Sequence, residues 1–259
     1  MRIVFIGAGN LATHLGRALH EAGHEVLQVY SRTMASAAAL AGPLGAEPLD
    51  DISLVATGAD VCIVAVKDAV VASLLPALCR GREQTLFLHT AGSLPMSIFE
   101  GCASHYGVLY PMQTFSKQRA VDFSEIPCFV EANDVQALAT VQTLAGSISR
   151  RVSTLSSDDR RYLHLAAVFA CNFANHCYDM AEQVLALRGI DFSCMLPLID
   201  ETARKVHQLT PREAQTGPAV RYDANVMAAQ LQLLSQQPRL QQLYEQLSKS
   251  IHERSHDQL

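Results

Sequence analysis

Apolar positions divide the chain into two regimes. Over its first part, short apolar runs alternate with stretches of helical period, the pattern of a parallel, doubly wound α/β sheet. The strand-like runs are Arg2–Ile6, Glu25–Tyr30, Asp60–Val66, Thr85–His89, Gly107–Tyr110, Cys128–Glu131 and Arg151–Leu155. Helices are predicted over Leu11–Ala22, Met34–Ala41, Ala69–Arg80 and Val135–Ser147. Segment 112–127, with mixed polarity, Lys117, Arg119 and Pro127, reads as a long loop over the end of the sheet. Beyond Leu155 no strand pattern recurs. Ser156 and the acids Asp158 and Asp159 cap a helix predicted to run to about Arg188, closed by Gly189. Its middle, Leu165–Cys171, is apolar all round, which predicts burial on several sides. Further helices are expected over Ser193–Gln208, Asp223–Ser235 and Arg239–Glu253, and Thr210-Pro-Arg-Glu213 forms a capping box. The fold class that follows is a Rossmann-type sheet domain over residues 1–155 and an all-α domain over residues 156–259.

Chemistry enters at the first strand. Ile3–Ile6 runs into Gly7-x-Gly9-x-x-Ala12 and a periodic helix, the arrangement that holds a dinucleotide pyrophosphate. Gly7 makes the tight turn, Gly9 lets backbone approach closely, and Ala12 lets helix pack on strand. The helix then turns the free N–H groups around Asn10 and Leu11, and its positive dipole end, toward phosphate. The second strand ends Tyr30-Ser31-Arg32-Thr33 with no acid for a ribose diol. A guanidinium flanked by two hydroxyls suits a 2′-phosphate, so the expected cofactor is NADP. Ligands in such sheets lie beyond the carboxyl ends of the strands. Val64-Ala65-Val66-Lys67 supplies one wall there, with Lys67 either facing the cofactor or capping a solvated helix. Thr90, Gly92 and Ser93 supply hydroxyls and a site of close approach. Gln113 offers an amide to a carboxamide or a substrate carbonyl. His89 reads as a buried structural histidine or a proton donor.

On the long helix, 100° per residue gathers Arg161, His164, Asn172, Asn175, Asp179 and Glu182 on one face. Asn172 and Asn175 stand out because they are amides within an apolar turn, and buried amides need partners. The expected roles are His164 as acid/base with Asn172 and Gln113 beside it, and Ser93, Asn175 and Arg221 toward substrate. Arg221 and Asp223 form an anion clamp or an ordinary loop salt bridge.

Composition narrows the partners. The chain has 259 residues, 49% hydrophobic and 17% charged, so it has core enough for two domains. A formal charge of −5 argues against a nucleic-acid backbone as partner. No run of eighteen apolar residues or basic leader is visible, so a cytoplasmic protein without membrane spans is expected. The seven cysteines lie scattered with no C-x-x-C, which points to reduced core residues, and no metal-ligand set is evident. The apolar long helix points to a homodimer through the helical domain, with burial by the chain's own later helices as the other option.

Several stretches together resemble a bacterial family that joins a Rossmann-like domain to a C-terminal domain of unknown function. They are Phe5–Ala12, His89-Thr-Ala-Gly-Ser93, Tyr110-Pro-Met-Gln-Thr-Phe-Ser-Lys117, His164–His176 and Gly217-Pro-Ala-Val-Arg-Tyr-Asp223. Members are labelled NADP-dependent oxidoreductases, so the resemblance implies hydride transfer between NADP(H) and a small C=N or C=O substrate. The architecture is similar at greater distance to pyrroline-5-carboxylate reductase and to the 6-phosphogluconate and β-hydroxyacid dehydrogenases. Pro111-Met112-Gln113-Thr114 resembles the stretch beside the nicotinamide in the former. β-Hydroxyacid dehydrogenases place a lysine four residues before the helix asparagine, whereas here Val168 precedes Asn172 and the region has no lysine. That departure keeps two rivals in view: an NADP-binding sensor or interaction protein without turnover, and a flavin or deazaflavin reductase on the same fold.

Overall fold

The computed structural model describes residues 1–256. One sheet of eight strands has the order β3-β2-β1-β4-β5-β6-β7-β8. Its strands are β1 (Arg2–Ile6), β2 (Glu25–Tyr30), β3 (Glu47–Leu49), β4 (Val61–Val64), β5 (Leu86–His89), β6 (His105–Pro111), β7 (Cys128–Ala132) and β8 (Val152–Thr154). Pairing is parallel from β3 through β6, antiparallel between β6 and β7, and parallel again between β7 and β8. The sheet is therefore doubly wound as expected but not wholly parallel, because β7 returns against β6 after the loop that follows it. Strand β3 was not legible in the sequence. It is three residues long, contains Pro48 and sits at the edge of the sheet, where a residue without a donor is tolerated.

Helices α1 (Asn10–Glu21), α2 (Met34–Leu44), α3 (Asp68–Cys79) and α4 (Val135–Gly146) cover the sheet. Residues alternate between its faces, so Ile3, Phe5, Val61 and Ile63 enter one core with Leu15, Leu19 and Val141. Val4, Ile6, Cys62 and Val64 enter the other with Val71, Leu75 and Phe99. Both faces being covered, the central strands are apolar throughout. The segment over 112–127 is anchored rather than loose. His14 Nε2 donates to the Ser116 carbonyl at 2.9 Å, its ring stacks on Phe115, and Phe115 stacks on Phe123.

The chain divides into two compact units, Met1–Asn172 and Phe173–Leu259. The sheet ends at Thr154, yet helix α5 (Ser157–Ala167) stays with the first unit, seventeen residues beyond the change of regime read from the sequence. The cause is a polar anchor at its first turn. Arg160, only 1% exposed, donates to Glu131 on β7 at 2.7 Å and to the Leu94 carbonyl at 2.6 Å. Glu131 also accepts from the Ser157 backbone N–H and hydroxyl, and Ser156 caps the helix as expected, accepting from the Asp159 N–H.

Two expectations about the long helix fail. Val168–Phe173 winds as a π-helix between α5 and α6 (Ala174–Ala186). Its wider turns break the 100° advance, so the stripe from Arg161 to Glu182 is not one face. Nor is the middle buried by this chain: Leu165 is 53% exposed, and Asn172 and Asn175 are exposed. Their amides thus do not need internal partners.

The second unit is helical throughout its described residues. After α6 come a 3-10 turn at Phe192–Met195, α7 (Leu196–Lys205), α8 (Pro211–Ala214), α9 (Pro218–Arg221), α10 (Ala224–Leu233) and α11 (Pro238–His256). Thr210 and Glu213 make the capping box that opens α8. Asp223 caps α10 through the Val226 N–H, and among the described residues Arg221 forms no ion pair with it, so the loop salt bridge between them is not present. Among the described residues no helix is long and apolar enough to cross a membrane.

Candidate functional site

The order β3-β2-β1-β4 reverses direction between β1 and β4, and a crevice opens there beyond the strand ends. Gly7 forms its floor. Its φ is +117°, its N–H donates to the Tyr30 carbonyl at 2.8 Å, and a Cβ there would stand 2.3 Å from the Ala65 carbonyl oxygen. Only glycine meets both demands. Gly9 differs: it is the N-cap of α1, and a Cβ would meet nothing within 4 Å. Its outer side is open space next to the uncapped first turn of a helix, the environment an anionic ligand requires.

The other cofactor candidates surround this crevice at strand ends. Ser31, Arg32 and Thr33 follow β2, and Ala65, Val66 and Lys67 follow β4. Arg32 is exposed, and among the described residues it makes no ion pair. Thr33 is committed elsewhere: as N-cap of α2 it accepts from the Ser36 N–H and donates to the Ser36 hydroxyl. Lys67 is the exposed N-cap residue of α3 and makes no capping bond with its side chain. Ser93 donates to Asp68.

Next to the N-terminus of α1 lies a cavity of about 610 Å³, built wholly from the first unit. Asn10, Leu11, Tyr110, Gln113, His164 and Asn172 line it, with apolar atoms of Met112, Phe115 and the α5 alanines between them. Asn10 donates to the Phe115 carbonyl at 2.9 Å, which fixes the 112–117 segment as one wall. Gln113 is exposed at the rim, its oxygen accepting from the Thr114 N–H. The structure thus brings together Gln113, His164 and Asn172 beside Asn10 and Leu11. Asn175 and Arg221 belong to the second unit and are exposed.

Two residues near His164, Arg160 and Tyr110, escaped sequence reading. Arg160 lies one helical turn before it and, through Glu131 and Leu94, locks the turn that carries it. Tyr110, 8% exposed at the end of β6, brings its hydroxyl to 3.0 Å from His164 Nδ1. Burial pushes the Tyr110 phenol above its ordinary value, with Arg160 partly opposing, so it keeps its proton at neutral pH. Gly92 behaves differently from expectation. A Cβ on it would fall 2.4 Å from His164 Nδ1, so the imidazole fills the space that the missing side chain leaves. Periodicity alone could not find these contacts, which join β5, β6, β7 and α5. The available signal was Arg160 four residues before His164, a charge on the same helical face as the candidate base.

His89 is structural. It is fully buried, its Nδ1 accepts from the Ala91 N–H at 3.2 Å, and it stacks on Phe99. Burial, reinforced by Arg160, pushes its pKa down to about 4, so it is neutral at physiological pH.

Comparison with known proteins gives the family. Residues 2–90 match the family model described as NADP oxidoreductase, coenzyme F420-dependent, and residues 126–251 match a domain of unknown function, DUF2520. No curated protein matches the chain. Among solved structures, the "putative NADP oxidoreductase BF3122" of Bacteroides fragilis is 53% identical, with a TM-score of 0.94 over 97% of this chain and 98% of that one. Protein TM1727 of Thermotoga maritima is 22% identical, with a TM-score of 0.72 over 98% of each chain. An imine reductase of Myxococcus stipitatus in complex with NADP+ shares the fold at 14% identity, with a TM-score of 0.68 over 98% of this chain and 93% of that one. With more than half its residues shared over nearly the full length of the Bacteroides protein, the chain belongs to the NADP oxidoreductase family that carries a C-terminal DUF2520 domain.

Proposed function

We propose that this protein is an NADP-dependent reductase of a small C=N or C=O substrate, working in the cavity between the N-terminus of α1 and helix α5. The observation that carries the reading is continuity. Asn10 and Leu11, which follow the Gly7-x-Gly9 turn, line the same cavity as Gln113, His164 and Asn172. Gly7, Gly9 and the first N–H groups of α1 would hold the pyrophosphate, and the walls at Ala65–Lys67 and Thr90 would flank the nucleotide. Bound NADPH would supply the hydride. His164 exchanges the proton, being the imidazole that lines the cavity, while Gln113 and Asn172 orient the polar end of the substrate by hydrogen bonds.

Preference for the 2′-phosphate rests on Arg32, Ser31 and the free N–H groups opening α2, because the Thr33 hydroxyl already caps that helix. Arg32→Ala should weaken NADPH binding at least about tenfold, roughly 1.4 kcal/mol, while leaving NADH nearly unchanged. Titration of nicotinamide fluorescence reads both constants, and equal losses would refute the assignment. For turnover, NADPH consumption is followed with a panel of cyclic imines, aldehydes and keto acids. His164→Asn should lower the rate by about a hundredfold or more.

A deazaflavin as the hydride partner is a second reading, favoured by the description of the family model that matches residues 2–90. Spectrophotometry with reduced deazaflavin and NADP+ tests it. The helical unit adds a further expectation. It exposes the apolar side chains of Leu187, Leu196, Leu198 at 62%, and Val206, and pairing with a second copy would cover such residues. Light scattering after gel filtration should give the mass of a dimer, and Leu198→Asp should shift it toward monomer.

A further inference from the structure

We propose that Tyr110 is a positioning residue that fixes the orientation and tautomer of His164, with Gly92 providing the space for the ring. This rests on the reading of His164 as the proton-exchanging group. The imidazole is held on two sides. Its Nδ1 lies 3.0 Å from the Tyr110 hydroxyl, and its Nδ1–Cγ–Cβ edge rests on Gly92, where a methyl would come within 2.4, 2.5 and 2.9 Å of those atoms. The two rings meet edge to face, 6.0 Å between centroids and 76° apart. Among the described residues nothing bonds Nε2, which lies on the opposite edge of the ring from Gly92. Held at Nδ1, the ring has Nε2 as its one uncommitted polar atom at the cavity.

The phenol decides which nitrogen carries the proton. A neutral phenol donates more strongly than it accepts, so toward a neutral imidazole Tyr110 takes the donor role and Nδ1 the acceptor role. The single ring proton then sits on Nε2. When the ring takes a second proton, Nδ1–H donates to the phenol oxygen, and Nε2–H is again the free donor. In the proton step, the Nε2–H bond of the imidazolium breaks and the proton joins the substrate nitrogen or oxygen. The step leaves the ring transiently as the Nδ1–H form, donating to the phenol oxygen. Uptake of a water proton at Nε2 regenerates the imidazolium, and loss of its Nδ1 proton to water, with the phenol O–H turned back onto Nδ1, restores the resting Nε2–H tautomer. Three anchors hold the pair in place. Tyr110 lies on β6, one residue before its end at Pro111. Gly92 follows β5. Arg160 ties the first turn of α5 to β7.

The test uses the full chain and two readouts. Nitrogen-15 NMR of histidine-labelled protein, with the His164 signals assigned by their loss in His164→Asn, reports the tautomer without any substrate. The wild type should show the Nε2–H form above the titration of the ring, and Tyr110→Phe should show both tautomers in exchange. In steady-state assays Tyr110→Phe should lower kcat by about tenfold with little change in KM, and should shift the acidic limb of the kcat profile. Gly92→Ala should push the ring off Tyr110 and give the same mixed tautomers, even with the phenol present. Identical tautomers in wild type and Tyr110→Phe, or a wild-type ring protonated on Nδ1 when neutral, would overturn the proposal. Absence of NADPH consumption with every substrate defeats the functional reading instead, and the NMR result still decides the role of Tyr110.

Discussion

His89 makes stability depend on pH in a calculable way. Its ring is fully buried on the strand next to β4, stacked on Phe99, and its pKa falls from 6.5 to about 4. Burial is the main cause, Arg160 adds to it, and Asp68 and Glu131 oppose it. The unfolded chain therefore binds a proton at His89 that the folded chain refuses throughout the window between those two values. Stability from this group is complete above about pH 6.5 and is lost as pH falls toward about 4. Integrating the two titrations gives a loss of about 2 kcal/mol by about pH 5 and about 3 kcal/mol by about pH 4. Other groups titrate in this range too, so the measurement is a difference. Urea unfolding followed by circular dichroism is compared for wild type and His89→Gln across that range. Glutamine keeps an acceptor for the Ala91 N–H but binds no proton. The wild-type advantage at neutral pH should shrink by about 2 kcal/mol on acidification to about pH 5. A gap that stays constant with pH would show that the ring titrates alike in the folded and unfolded chains, and the burial argument would fall.

The two glycines of the opening turn should respond differently. Gly7→Ala forces a methyl against the Ala65 carbonyl at a positive φ, so thermal stability should drop by at least about 2 kcal/mol and nucleotide binding should vanish. Gly9→Ala meets nothing in the chain and should leave the melting temperature nearly unchanged, while the methyl stands where phosphate approaches and weakens NADPH binding. Arg160→Met leaves the Glu131 carboxylate without its cation in a part-buried setting. Unfolding free energy should fall by about 3–5 kcal/mol, with most of the loss recovered in the double variant Arg160→Met, Glu131→Gln. Recovery below about 1 kcal/mol would show that the anchor works by packing alone.

Local pattern was enough for the sheet's central strands, the first four helices, the cap at Ser156, the box at Thr210–Glu213 and the turn at Gly7, because each is set by residues within a few positions of one another. The same locality made the opening crevice legible as a candidate dinucleotide site. Strand β3 and the reversal at β7 were not legible, since a three-residue edge strand and the direction of a returning strand depend on which neighbour the backbone finds. The helix stripe from Arg161 to Glu182 failed at the π-turn for a related reason: constant angular advance is an assumption, and six residues between Val168 and Phe173 break it.

What the amino-acid order determined by itself was therefore the central strands, the first four helices and the glycine turn after β1, which short-range sterics and periodicity dictate. What only the tertiary structure decided was the surroundings of His164. Gly92, Tyr110 and Arg160 come from three separate elements and meet only when β5, β6 and α5 pack. Arg160 constrains that meeting, because a buried guanidinium must find its acceptors on β7 and after β5 before the helix can settle.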